Sequence, residues 1–280
     1  MKDFFKKNGI EYFSAIPLSS CKVIKEYLLE KGGFDKDSHV IMMLIPYRSE
    51  RLPVNISAYA SVKDYHKFTE MLSKELELYT KEMYPDKRFK LFADHSPIDE
   101  VHAACISRLG FIGDNGLLIN EKYSSFVFLA ECITNAEPKE IGLESTLVSS
   151  VTECLHCGAC ANACPCGCIK KPEDVCDFAP KSYCLSAVTQ KKGELLPEEK
   201  ELMIKHNTVW GCDICQNVCP YTKKAEYTPI EFFKNDVITE LTLDVLNSLD
   251  DESFKERPFS WRGRAAVERN VKIYEERKKS

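Results

Sequence analysis

Six cysteines crowd into the fifteen residues CLHCGACANACPCGC, from Cys154 to Cys168. A packed core has no use for thiols at two- and three-residue spacing, and a secreted disulfide scaffold is usually short, with its cysteines spread between loops. Metal or cluster ligation is the remaining reading. Cys154, Cys157, Cys160 and Cys164-Pro165 spell C-x2-C-x2-C-x3-C-P, the bacterial ferredoxin run, in which three thiolates wrap one 4Fe-4S cubane and the fourth crosses to a second. A later segment, WGCDICQNVCPY, adds Cys212, Cys215 and Cys219-Pro220.

The two runs supply seven of the eight thiolates that two 4Fe-4S clusters need. By the crossover rule one cluster takes Cys154, Cys157, Cys160 and Cys219, and the other takes Cys164, Cys212, Cys215 and one more. Cys166, Cys168, Cys176 and Cys184 are the candidates for that place. A third thiolate from the tight turn around Cys164 would be strained, whereas Cys184 in KSYCLSAVTQ opens a predicted helix, so Cys184 is preferred. Two zinc sites would also accept sets of four thiolates, but the ferredoxin spacing argues for iron. Cys21, Cys105 and Cys132 have apolar neighbours and read as small buried side chains. Clusters in series carry single electrons, which predicts a terminal acceptor elsewhere in the chain.

The rest of the 280 residues has ordinary globular values, 44% hydrophobic and 29% charged, enough to bury a substantial core. A net charge of -5 excludes a global basic field for nucleic acid. The segment from Lys255 to Ser280 holds nine Lys or Arg against four Glu, which reads first as a solvated helix and second as a nucleic-acid contact. The N-terminus lacks the apolar stretch and cleavage site of a signal peptide, and no apolar run is long enough to cross a bilayer. The expectation is a cytoplasmic protein with no membrane partner.

Periodicity predicts an α+β fold. HVIMMLIPY (39–47) and FVFLAECIT (126–134) are apolar runs of strand length. Between them, 62–83 reads as a helix whose buried stripe is Tyr65, Phe68, Leu72, Leu76, Tyr79 and Met83. LGFIGDNGLLIN (109–120) suits a turn or a close backbone approach to a ligand, although its glycines miss the dinucleotide fingerprint. From about 151 the short Cys, Pro and Gly segments lack the periodicity for a core of their own, so the cofactors should organise them. DVITELTLDVLNSLD (236–250) and RAAVERNVKIYEERKK (264–279) read as helices. The predicted domains are 1–150, 151–225 for the clusters, and a helical extension over 226–280.

Several blocks in order resemble the epoxyqueuosine reductases, cobalamin and iron-sulfur enzymes that complete queuosine in the tRNA anticodon. They are YASVKDYH (59–66), ADHSPIDE (93–100), LGFIGDNGLLIN, SSFVFLAECIT, the first cysteine run, YCLSAVTQKKGELLPEE (183–199), WGCDICQNVCPY and RGRAAVERN. The resemblance implies a nitroreductase-like, cobalamin-binding α/β domain followed by a bacterial-ferredoxin-like domain with two 4Fe-4S clusters. It also supports Cys184 as the eighth ligand and supplies cobalamin as the electron acceptor.

In that family a reduced corrinoid acts on the epoxide while an aspartate near the corrin supplies a proton. That aspartate falls on Asp94, where a partly apolar pocket would raise its pKa and keep it protonated. A lone aspartate before Ser-Pro is otherwise a turn or cap residue. The resemblance further implies cobalamin contacts at Tyr65 and His66, at Gly113, Asp114 and Asn115, at Ser124 and Ser125, and from the cluster side at Gly211 and Asp213. His66 is not expected to ligate cobalt. The implied partners are tRNA and an electron donor such as flavodoxin or ferredoxin.

Two departures bear on substrate. The family's GKN-type turn is GDN here, and the helical repeats expected after the RN motif do not follow, as in a short form of the family. A reductase of a small epoxide or organohalide and a non-catalytic electron carrier or corrinoid-reducing partner are the alternatives.

Overall fold

The computed structural model describes residues 1–143, 153–169 and 183–278, and Cys176 lies outside them. Their contacts form two compact units, one from Met1–Pro46, Tyr65–Cys154 and Lys224–Ile230, the other from Tyr47–Asp64, Leu155–Lys223 and Glu231–Ser280. These units cut across the boundaries expected from composition. Residues 47–64 precede the cysteines by about a hundred positions yet join their unit. The reason is backbone pairing: Ile56 bridges Trp210 in parallel, and Ser57 N–H donates to Trp210 O at 2.8 Å.

The first unit is built on a four-stranded sheet. Its strands are β1 (Phe13–Pro17), β2 (His39–Pro46), β3 (Phe89–Phe92) and β6 (Val127–Thr134), in the order β1-β2-β6-β3, all antiparallel. β2 is covered on both faces, which explains its unbroken apolar run: residues from Val40 to Ile45 are fully buried. One face carries the cluster of Val40, Met42, Leu44, Phe92 and Ile133 with Ala103 and Ala104, the alanines belonging to the helix Glu100–Ile106. The long helix Tyr65–Met83 buries Phe68, Thr69, Leu72, Leu76 and Thr80. Met83, expected on that stripe, is exposed at the helix end.

LGFIGDNGLLIN is a β-hairpin of β4 (Phe111–Ile112) and β5 (Leu118–Ile119). Gly113 N–H donates to Leu117 O at 2.9 Å and closes it. Of the three lone cysteines, Cys132 is buried and Cys21 and Cys105 are half-buried against the apolar cluster.

The second unit departs from expectation in two ways. It has cores of its own: Trp210, Leu241, Leu246, Phe259, Val267 and Val271 pack in one, and Leu185, Val188, Leu195, Met203 and Ile273 in another. The helix Arg264–Lys278 contributes to both, so the cysteine segments borrow apolar residues from distant sequence. Second, DVITELTLDVLNSLD is helical only over Leu243–Ser248. Its first half is drawn out by residues 54–61, because Val54 N–H donates to Thr239 O at 2.7 Å and Ile238 N–H to Ser61 O at 2.8 Å. Asn55 completes this tie with both Leu241 backbone groups, at 2.8 and 3.0 Å. Tertiary pairing overrides helix periodicity there.

The arginines near the C-terminus are largely turned inward. Arg257 is buried and donates to Asp236 O at 2.5 Å, while Arg264 reaches the carbonyls of Leu246 and Leu249, each at 2.7 Å. Arg269 donates to Lys191 O at 2.9 Å. Among the described residues no helix is long and apolar enough to cross a membrane.

Candidate cluster centre and active-site aspartate

The cysteines sit on short turns and helix ends. Gly158, with φ 69°, precedes the helix Ala159–Ala163 that carries Cys160. Cys164 N–H bonds back to Cys160 O at 3.1 Å. Cys184 immediately precedes the helix Leu185–Thr189, as its sequence context predicts. In the later run, Cys215 lies on the helix Ile214–Asn217 and Cys219 just beyond it.

Four thiols share one neighbourhood. Burial raises Cys215 to about 12 and Cys212 to about 11, and the thiols of Cys164 and Cys184 add to both shifts. Half-buried thiols gathered in this way form a donor set suited to a thiolate-binding cluster. Cys166 and Cys168 belong to the same neighbourhood: burial raises them to about 12 and about 11, and the thiols of Cys164 and Cys184 add to both shifts. The Cys168 N–H points at Cys164 Sγ at 3.4 Å, and Cys166 packs against the core around Leu185.

Gly211 and Asp213 are committed to their own unit. Gly211 has φ 71°, and a Cβ there would lie 2.0 Å from Ser57 Oγ. Only glycine permits that approach. Asp213 Oδ2 accepts the Ala58 N–H at 2.6 Å and Oδ1 accepts from Gln216 Nε2 at 2.9 Å. Burial outweighs those bonds and pushes its carboxyl up to about 6.

In the first unit, Tyr65 stacks on Phe128 with centroids 4.2 Å apart, and the His66 ring lies 4.1 Å from that of Tyr65. Both stacked rings are half-buried and His66 is exposed. Asp114 and Asn115 occupy the hairpin turn, where Asn115 Oδ1 accepts the Leu117 N–H at 3.2 Å. Gly113 is a packing glycine, since a Cβ would meet Ile119 Cδ1 at 2.6 Å. Ser124 and Ser125 are buried, Ser124 with φ 53°. A half-exposed aromatic face and, separately, a polar hairpin turn offer the stacking and amide-binding groups that a flat, amide-fringed macrocycle requires. Tyr65, Phe128, His66, Asp114 and Asn115 fit such a group, whereas the buried serines and Gly113 fit a structural role.

Asp94 does not occupy the partly apolar pocket expected of it. Its side chain is 74% exposed, with Oδ2 3.7 Å from His66 Nε2. Its backbone is left-handed at φ 61°, and its N–H donates to Glu100 Oε1 at 3.2 Å. The buried acid of this region is Glu131 on β6. Its one sequence signal is an acidic residue inside the otherwise apolar strand FVFLAECIT.

Residues 153–222 match the family of the 4Fe-4S double cluster binding domain. The epoxyqueuosine reductase of Listeria monocytogenes is 31% identical over 266 residues, which cover 90% of this chain and 67% of that protein. This chain belongs to the epoxyqueuosine reductase family. The family's members are oxidoreductases, and the double-cluster match favours iron over the zinc alternative. The Bacillus subtilis epoxyqueuosine reductase is 32% identical over 216 residues, 75% of this chain and 52% of its own length. The chain thus spans roughly half to two thirds of these two relatives. The α+β fold matches the structure of epoxyqueuosine reductase from Streptococcus thermophilus, with a TM-score of 0.75 at 23% identity over 100% of this chain and 80% of that one. It also matches a crystal structure of epoxyqueuosine reductase with a tRNA-Tyr epoxyqueuosine-modified stem loop, with a TM-score of 0.72 at 24% identity over 97% of this chain and 79% of that one.

Proposed function

We propose that this chain is a cobalamin- and iron-sulfur-dependent reductase that converts epoxyqueuosine to queuosine in tRNA, working in the cytoplasm. The observation that carries the reading is the common neighbourhood of Cys164, Cys184, Cys212 and Cys215 in a member of the epoxyqueuosine reductase family. These four hold one 4Fe-4S cluster, and Cys154, Cys157, Cys160 and Cys219 hold the other. The tRNA substrate is supported by the related structure that contains a modified tRNA stem loop. A small one-electron protein such as flavodoxin or ferredoxin is the electron donor.

When bound, the clusters supply single electrons and cobalamin supplies low-potential reduction at cobalt. Tyr65 and His66 give the corrin an aromatic edge, and Asp114 and Asn115 bind its fringe amides from the hairpin turn. The α/β domain that does this is nitroreductase-like in fold. Asp94 would deliver one of the two protons with which the epoxide oxygen leaves as water, and solvent, which reaches its exposed side chain, would supply the other and reprotonate it. Glu100 fixes the Asp94 backbone during this step. Gly211 and Asp213 hold the 47–64 segment against the second cysteine run.

The test is anaerobic reconstitution with iron, sulfide and cobalamin, then incubation with epoxyqueuosine tRNA and a strong reductant. Nucleoside mass spectrometry should show queuosine from protein that holds about eight irons and one cobalt. Full loading without turnover overturns the reading. Reduction of a free small epoxide but not of the tRNA moves it to a small-molecule reductase.

A further inference from the structure

Glu131 is the acid that the first unit's apolar face has no evident reason to contain. The strand register sets it opposite Met42 on β2 and opposite Phe92 on β3, within the face that carries Val40, Leu44 and Ile133, and it is 0% exposed. Its Oε1 makes a short hydrogen bond with Ser96 Oγ, and its Oε2 has no hydrogen-bond partner.

The hydrogen bonds around Ser96 favour a protonated carboxyl. Ser96 Oγ accepts the Ile98 N–H at 3.0 Å and lies 3.0 Å from Ile98 O, which can only accept. A hydroxyl has one hydrogen and two lone pairs. If that hydrogen satisfies Ile98 O, the remaining lone pair faces Glu131 Oε1, and the bond between them requires the proton to be on Glu131. The opposite assignment leaves a buried charge with one oxygen unpartnered and takes the donor away from Ile98 O, which is unfavourable on both counts.

We propose that Glu131 is a neutral carboxylic acid at neutral pH, that Glu100 positions the Asp94 backbone, and that keeping Glu131 uncharged preserves that hold. Glu100 heads the helix Glu100–Ile106 and accepts the Asp94 N–H, so it acts through Asp94 and is a positioning residue. Burial first and the Glu100 charge second push Glu131 well above the carboxylate range. Burial also raises Glu100, opposed chiefly by the Asp94 N–H. The other groups facing these two carboxyls are the Asp94 carboxylate, which repels Glu100, and Lys25, which attracts it. The thiols of Cys21 and Cys132 are both held neutral by burial with a smaller effect of Glu131. Loss of the Glu131 proton puts a second negative charge next to Glu100 and loosens its hold on the Asp94 turn.

The positioning claim rests on the proposed role of Asp94, and the protonation claim does not. Infrared spectroscopy of the holoprotein carrying carboxyl-labelled glutamate tests the second. A protonated-carboxyl stretch that shifts with the label should be present at neutral pH, vanish in E131Q and survive in D94N. Its absence from the wild type, or its persistence in E131Q, overturns the proposal. The pH profile of turnover tests the first. E131Q should move the alkaline limb upward by about one unit, a tenfold change in proton concentration, and a profile superimposed on the wild type overturns the positioning role. Wild-type turnover in D94N with the infrared band intact instead overturns the proposed function and leaves the neutral Glu131 standing.

Discussion

The Asn270 side-chain amide donates to Thr189 O at 2.7 Å, and with its second hydrogen to Val209 O at 2.9 Å. One fully buried amide thereby ties the helix that follows Cys184 to the strand-like segment that leads into Cys212. The RN pair of the RGRAAVERN block thus has a structural reason. Asn270 fixes two backbone carbonyls, and Arg269 fixes that of Lys191 beyond the same helix.

Asn270→Leu keeps the volume and removes both donors. Two buried carbonyls lose their partners, so the loss should be about 2–4 kcal/mol. Chemical denaturation of the holoprotein checks the stability. Iron analysis should show the cluster that uses Cys184 lost before the other one, and a variant with unchanged stability and iron would remove Asn270 from this role.

Cys184→Ala should lower the bound iron from about eight to about four per chain, while Cys168→Ala should leave it unchanged. Iron and sulfide analysis with an electron-paramagnetic-resonance spectrum of the reduced protein distinguishes the two variants. Equal iron in Cys184→Ala and the wild type would hand the place to Cys166 or Cys168.

Gly211→Ala should cost about 2–4 kcal/mol, because the new methyl would lie 2.0 Å from Ser57 Oγ at φ 71°. Gly193→Ala shares the positive φ, 75°, but meets nothing within 4 Å, so it should cost about 1 kcal/mol. The difference between their unfolding midpoints measures the close approach apart from the backbone strain.

Asp94→Asn should reduce turnover by about 10²- to 10⁴-fold without moving the unfolding midpoint, since the side chain is 74% exposed. Turnover under single-turnover conditions and a thermal melt of the same sample check both halves. A shifted melt with little change in rate would make Asp94 a turn residue.

Stability should fall as pH rises above the ordinary glutamate value of 4.5. Glu131 is raised in the folded protein, so there the native state keeps a proton that the unfolded chain releases. The stabilisation is complete below 4.5 and is lost as pH climbs towards the folded value. Glu131→Gln removes that proton exchange, and its stability against pH, followed by urea unfolding, should be flatter than the wild type over this range.

The periodic elements were legible because their patterns are local. β2 and β6 appear as apolar runs, and Tyr65–Met83 and Arg264–Lys278 as long helices. Phe68, Leu72 and Leu76 are buried as the helical stripe requires. The start of a helix after Cys184 could be read in the same way. Over 236–242 the local pattern misleads, because Asn55 and Val54 take the backbone groups that a helix would have used. Asp94 could be nominated from its motif but not its exposure, since solvent contact is set by the turn and by His66 and Glu100 around it.

The ligand chemistry is legible along the chain: thiols at ferredoxin spacing argue for iron-sulfur ligation, because three of them wrap one cluster within a single short turn. Which distant groups come near those thiols is set by the fold. Cys184 comes beside Cys212 and Cys215, residues 47–64 pass to the unit of the clusters, and Glu131 is enclosed between Met42 and Phe92. Such neighbours are made by long-range backbone pairing and shared burial, which leave no periodic trace along the chain.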